Sequence, residues 1–146
     1  MIVVDASVAV KWVTGEQDRE AANALLDSGE QIAGPFLLRT EVVAAIARKA
    51  RFEEITEADA SAAVDLWAGI IRGAEIALFA EDADLTRSLK LSLELKHALQ
   101  DCIYLALAER LDAPLITADE KFAAKARRLY PRVRRLTATD ARRHSR

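Results

Sequence analysis

The stretch Asp101–Glu109 constrains this chain more than any other. Its interior, Cys102 to Ala108, is seven consecutive uncharged residues. At the helical period such a run leaves no polar face, so the predicted helix must be covered on most sides. Yet a carboxylate, Asp101, stands at its entrance. Burying an unpaired carboxylate costs several kcal/mol. The fold must therefore bring a cation, a donor network or a metal ion to that charge.

A chain of 146 residues is read as one domain, and its 51% hydrophobic content is enough for a real core. The longest uncharged run, Gln31 to Leu38, is eight residues, far short of the roughly 20 that cross a bilayer. Met1 leads directly into Ile2-Val3-Val4 without a basic leader, so no secretory signal is expected. One cysteine makes no internal disulfide, and a cytoplasmic location is the expectation. Charge is unevenly placed. Residues 121–146 carry ten Lys/Arg against one acid, net +9, while residues 1–120 sum to −11. A basic end on an acidic body suggests a polyanionic or acidic partner; a solvated helix and frayed tail are the plainer explanation.

Apolar runs and helical periods alternate along the chain. Ile2-Val3-Val4, Ile32-Ala33, Ile76-Ala77-Leu78-Phe79 and Leu115-Ile116-Thr117 read as strands, and Val133-Arg134-Arg135-Leu136 as an edge strand. Helices are predicted over Ala6–Val13, Glu16–Leu26, Leu37–Arg51, Thr56 to about Ile71, Asp82–Leu93, Asp101 to about Leu111, and Lys121–Leu129. Pro35 reads as a helix entrance. This alternation predicts a three-layer α/β/α domain with a mainly parallel central sheet. The domain is placed at 1–137, with 138–146 as a basic C-terminal tail.

In such sheets the ligand crevice lies outside the carboxyl ends of the strands. Asp5 follows the first strand and Asp119 follows Leu115-Ile116-Thr117, so both face the same edge. Glu41 and Asp101 lie in early turns of helices that can start there. Four acids in one crevice repel one another unless a cation neutralises them. Oxygen ligands suit Mg²⁺ or Mn²⁺. Zinc is disfavoured, because there is one cysteine and His97 and His144 share no ligand spacing. Ser7 and Thr117 add hydroxyls at the same edge.

Four motifs in order carry a resemblance: Val4-Asp5-Ala6-Ser7, Glu41-Val42, Asp101-Cys102-Ile103-Tyr104-Leu105-Ala106-Leu107-Ala108, and Thr117-Ala118-Asp119-Glu120-Lys121-Phe122. Together they resemble the PIN-domain family, and most of all the VapC toxins of bacterial toxin–antitoxin pairs, from Ile2 to about Leu136. The resemblance implies a metal-dependent endoribonuclease whose metal site is built from the acids matching Asp5, Glu41, Asp101 and Asp119. A small hydroxyl residue matches Ser7 or Thr117. It also implies a cognate antitoxin that reaches into the site, and a homodimer. Gln100 stands where many relatives carry an aromatic residue, a departure that bears on substrate fit and leaves the metal site intact.

On this reading Asp5 and Asp101 are the principal metal ligands, and Glu41 and Asp119 hold metal-bound waters or a second ion. Each acid has a plainer role beside that one. Asp5 and Asp119 suit helix N-caps, Asp101 suits the helix macrodipole, and Glu41 suits an exposed helix face. Cys102 reads as a small buried residue and His97 as a surface or loop residue. Tyr104, Trp12 and Trp67 read as core, or for the tryptophans as interface. The Arg-rich segment from Arg127 to Arg146 is a candidate for holding RNA phosphates. Two other classes stay open: a catalytically silent scaffold of the same fold, and a metal-dependent nuclease or phosphohydrolase acting on other phosphate esters.

Overall fold

The computed structural model describes residues 1–15 and 17–137; the predicted basic tail, His144 and the predicted helix start at Glu16 lie outside the described residues. Five strands, β1 (Ile2–Val4), β2 (Ile32–Pro35), β3 (Ile76–Phe79), β4 (Leu115–Thr117) and β5 (Val133–Arg135), form one sheet in the order β3-β2-β1-β4-β5. Every pairing is parallel. Seven α-helices connect them: α1 (Ala6–Val13), α2 (Arg19–Leu26), α3 (Leu37–Arg51), α4 (Glu57–Arg72), α5 (Leu85–Leu95), α6 (Leu99–Arg110) and α7 (Glu120–Ala126), with a 3-10 turn at Glu81–Ala83. The sheet grows from β1 to β3 in one direction, then returns to β4 and β5 in the other. Right-handed crossovers then place α1–α4 on one face and α5–α7 on the opposite one, giving the expected three layers.

The central strands are buried throughout, and apolar but for Thr117 at the end of β4, because both of their faces are covered. α6 meets the demand its sequence makes. All seven residues from Cys102 to Ala108 are buried, packed between α5 and strands β1, β2 and β4. Truncating Leu105, fully buried there, to alanine is expected to cost about 2–5 kcal/mol. Both tryptophans are core residues that also satisfy their indole N–H. Trp12 donates to the Ala22 carbonyl at 2.8 Å and Trp67 to the Arg39 carbonyl at 3.0 Å, tying α1 to α2 and α4 to α3.

Pro35 differs from the expected role. It is the last residue of β2 rather than the opening of α3. Its missing N–H costs no ladder bond, because Phe36 N–H donates to the Phe79 carbonyl at 2.8 Å. The start of α3 has no side-chain cap of its own; Glu81 supplies one from outside by accepting from Leu37 N–H. Among the described residues, no helix is long and apolar enough to cross a membrane.

Candidate active site

The order of strands reverses at β1 and β4, which lie side by side in the middle of the sheet. That reversal opens a crevice at their carboxyl ends. The register pairs Val4 with Ile116, so the next residues, Asp5 and Thr117, emerge together. Asp5 N–H donates to the Ile116 carbonyl at 3.3 Å. Hydroxyls stitch the two strand ends together. Ala118 N–H donates to Ser7 Oγ at 2.8 Å, Ser7 Oγ–H donates to Asp5 Oδ1 at 2.5 Å, and Thr117 Oγ1 lies 3.3 Å from Ser7 Oγ. Thr117 Oγ1 in turn accepts from Asp119 N–H at 3.1 Å.

Asp5 caps α1 by accepting from Val8 N–H at 3.3 Å, and Asp119 caps α7 by accepting from Phe122 N–H at 3.0 Å. The capping role proposed from sequence is therefore real at both positions. It does not compete with a second role, since each cap bond falls on one carboxylate oxygen, Oδ1. Asp5 is only 4% exposed. Burial pushes its carboxyl up to about 6, and repulsion from Asp101 adds to the rise; hydrogen bonds from Ser7, Thr117 and Val8 oppose it.

Glu41 lies one turn into α3, at the same edge, and is half-buried rather than a plain surface acid. Burial pushes its carboxyl up, with Asp101 and Asp5 both adding repulsion. The Tyr104 hydroxyl faces it closely enough to lower that pKa. Even so, neither Glu41 Oε1 nor the Tyr104 hydroxyl meets hydrogen-bond geometry with any partner. Tyr104 is thus core by burial and also forms the floor of the crevice. Its own hydroxyl is pushed far up by burial and by Glu41, Asp5 and Asp101, so it stays protonated.

Asp101 enters from the first turn of α6, whose amino end lies at the crevice edge because its carboxyl end feeds β4. It joins two groups of acids. It repels Asp5 and Glu41, and its carboxylate lies within 4.8 Å of one ligand atom each from Asp119 and His97. Asp5 and Glu41 stand outside that tighter group. Among the described residues, no lysine or arginine pairs with Asp5, Glu41, Asp101 or Asp119.

His97 is the residue that sequence reading passed over. It lies in the turn between α5 and α6, as expected, but its Nε2 is 2.6 Å from Asp101 Oδ2. Lys125 Nζ is 3.5 Å from His97 Nδ1. An ammonium can only donate, so Nδ1 accepts and the Nε2–H tautomer donates to Asp101. The ring also stacks on Phe122 at 4.8 Å between centroids. The spacing of four residues between His97 and Asp101 was a usable signal. Cys102, by contrast, is buried and its thiol is pushed up to about 11, which excludes a nucleophilic thiolate at neutral pH.

A larger recess, about 570 Å³, lies against Val13, Ile55, Ala63 and Leu66 and contains none of the four acids. The four acids gather instead at the switch point of the sheet.

Comparison with known proteins establishes the family and the fold. The family model of the PIN domain matches residues 2–128. The chain belongs to the PIN-domain family. Among curated relatives, Ribonuclease VapC1 of Mycobacterium tuberculosis, from strains CDC 1551 and H37Rv, is 33% identical over 128 residues, covering 84% of this chain and 88% of the relative. Solved structures share the fold. PAE2754 from Pyrobaculum aerophilum superposes with a TM-score of 0.71 at 19% identity, covering 97% of this chain and 93% of that one. VapC20 of Mycobacterium tuberculosis, a Sarcin-Ricin loop cleaving toxin, gives 0.67 at 18%, covering 85% and 94%. A chain from a toxin–antitoxin complex of Klebsiella pneumoniae gives 0.63 at 24%, covering 92% and 96%. In this PIN domain the acidic crevice spans β1, α3, α6 and the start of α7.

The donor set fits a hard divalent ion. Asp5 and Glu41, whose carboxyls are pushed up by burial and by Asp101, with an orphaned buried oxygen on Glu41 and no partner cation among the described residues, need positive charge to be stable when ionised. Both nitrogens of His97 are engaged, by Asp101 and by Lys125, so the ring orients a carboxylate and leaves ligation to oxygen.

Proposed function

We infer that this chain is a Mg²⁺- or Mn²⁺-dependent endoribonuclease and the toxin of a type II toxin–antitoxin pair. One observation carries the reading: Asp5, Glu41 and Asp101 are mutually repelling carboxylates at the sheet's switch point, with no lysine or arginine neutralising them among the described residues. The relative named a ribonuclease and the neighbour solved as a toxin–antitoxin complex support it. Asp5 and Asp101 would hold the ion directly, and Glu41 and Asp119 would hold its waters or a second ion. When bound, such an ion lowers the pKa of a coordinated water and withdraws charge from a phosphoryl oxygen.

The chain's own groups do the positioning. Ser7 and Thr117 keep Asp5 ionisable by donating to it, which opposes the effect of burial. His97 fixes the Asp101 rotamer through Nε2–H. Tyr104, protonated and buried, closes the floor beneath Glu41 and keeps bulk water from that side. The acidic crevice also suits a basic side chain of a cognate antitoxin. Homodimerisation, a cytoplasmic setting and the division into a 1–137 nuclease domain with a 138–146 basic tail complete the proposal.

The test is to sequence RNA ends after induced expression of wild type and Asp5→Asn in parallel, with purified protein assayed on single-stranded RNA, tRNA and DNA at matched Mg²⁺. Metal-dependent RNA ends present in wild type and missing in the variant support the reading. Cleavage at the wild-type level by both Asp5→Asn and Asp101→Asn refutes it, and cleavage confined to DNA or small esters moves the activity to another substrate class.

A further inference from the structure

Beside the acidic crevice lies a smaller pocket of opposite charge. It measures about 390 Å³ and is lined by Glu94, Leu95, Lys96, Lys125 and Arg128. Three cations and one acid leave it net positive. Lys125 reaches it from α7 and donates to the Lys96 carbonyl at 3.4 Å. The same ammonium lies 3.5 Å from His97 Nδ1, while the far nitrogen of that ring is 2.6 Å from Asp101 Oδ2. A single imidazole therefore separates the cationic pocket from a carboxylate proposed to hold the ion.

Two features set this pocket apart from an ordinary solvated surface. Among the described residues, neither Lys96 nor Arg128 forms an ion pair. And Lys96 ends α5 in the left-handed conformation, at φ 49° and ψ 52°. Glycine takes that seat without strain; a lysine there costs roughly 1 kcal/mol. The helix dipole would explain a cation at the end of α5. It does not explain why Lys125 and Arg128, one turn apart on a different segment, converge on the same hollow.

We propose that Lys96, Lys125 and Arg128 form a binding subsite for a backbone phosphate of single-stranded RNA, next along the strand from the phosphate at the acidic centre. The proposal rests on the ribonuclease reading for the identity of the strand. The physical need is direct: a polyanion held at a cluster of carboxylates is repelled, and its neighbouring phosphates must find positive charge within a nucleotide's reach. Lys125 supplies a fixed charge, anchored by the Lys96 carbonyl, while the side chains of Lys96 and Arg128 close on the phosphate as it arrives.

The test is salt-dependent binding of a short fluorescein-labelled single-stranded RNA, followed by anisotropy, to the intact chain in EDTA and to the Asp5→Asn chain in Mg²⁺. Lys96→Gln with Arg128→Gln should weaken binding roughly tenfold and flatten the slope of log affinity against log salt by about 0.7, the amount for one lost phosphate contact on a single strand. Arg72→Gln with Arg132→Gln removes the same charge at the amino-terminal edge of the sheet and should leave the slope unchanged. Lys96→Gly relieves the backbone strain, so it should keep or raise thermal stability while still lowering affinity. An unchanged slope in the first pair, or equal flattening by both pairs, overturns the subsite. If wild type binds RNA through these residues but cuts none in Mg²⁺, the subsite stands and the nuclease reading falls.

Discussion

Two buried aspartates, Asp5 and Asp84, show what separates an acid answered within the chain from the acid proposed to hold the ion. They are 4% and 3% exposed, so water is equally remote from both. Asp84 sits before α5, where Arg110 of α6 grips it with two parallel bonds, Nε to Oδ1 at 2.7 Å and Nη2 to Oδ2 at 2.9 Å. Its charge is answered within the chain. Asp5 has hydroxyls and one backbone N–H instead, and its nearest charged neighbours are acids. Hydrogen bonds from neutral donors orient a carboxylate but supply no countercharge. Burial alone therefore says nothing about function; the partner does.

The sharpest way to break this contrast is substitution at both sites. Asp5→Asn or Asp101→Asn should lower metal-dependent RNA cleavage by roughly a thousandfold or more, since a ligand to the ion is lost. Asp84→Asn should leave the cleavage rate near wild type. Comparable losses at Asp5 and Asp84, in a gel-based cleavage assay at saturating Mg²⁺, would erase the distinction.

The pH dependence of stability sharpens it further. Folding raises the Asp5 carboxyl from 3.8 to about 6. Between about pH 4 and pH 6 the folded chain holds a proton that the unfolded chain has released, so metal-free stability should fall as pH rises through that window. The full effect is on the order of 3 kcal/mol. Chemical denaturation in EDTA at several pH values measures it. Asp5→Asn should flatten the profile, and Mg²⁺ should restore stability near pH 7 in wild type but not in the variant. A flat wild-type profile would mean that Asp5 ionises at no cost and needs no ion.

His97→Gln tests how far the proposed metal site depends on orientation. It removes the imidazole that fixes Asp101 and should lower metal affinity by about 10–100-fold, read by calorimetric Mn²⁺ titration, with a smaller change in thermal stability. The smallest effect is expected at the structural acid. Arg110 is partly exposed, so Asp84→Asn should cost only about 1–2 kcal/mol in thermal or denaturant unfolding, without the pH window that marks Asp5.

Much of the fold was legible along the chain. The apolar triplets and quartets of β1, β3 and β4 coincide with their predicted spans, and α3 with its full predicted length. α6 was readable because seven uncharged residues admit only a buried helix. Pro35 misled, since a proline suits both a helix entrance and the end of a strand, and which bond its missing N–H would remove depends on a neighbouring strand distant in sequence. Trp67 similarly looked available for a partner surface. Its burial is settled by α3, which accepts its N–H through the Arg39 carbonyl.

For the candidate site the division is sharper. Alternating strands and helices placed Asp5, Glu41, Asp101 and Asp119 at one edge, because the carboxyl end of each parallel strand and the helix starts beside it share that edge. Whether an acid meets a cation there depends on distance, and distance between residues far apart in sequence is a property of packing. Only the tertiary structure decided that Arg110 answers Asp84 while, among the described residues, no arginine answers Asp5. Packing likewise turned His97, an unremarkable loop residue, toward Asp101 and brought Lys125 and Arg128 to the end of α5. The order of residues determined which charges the chain carries and which edge they occupy; the folded backbone determined which of them are left facing one another.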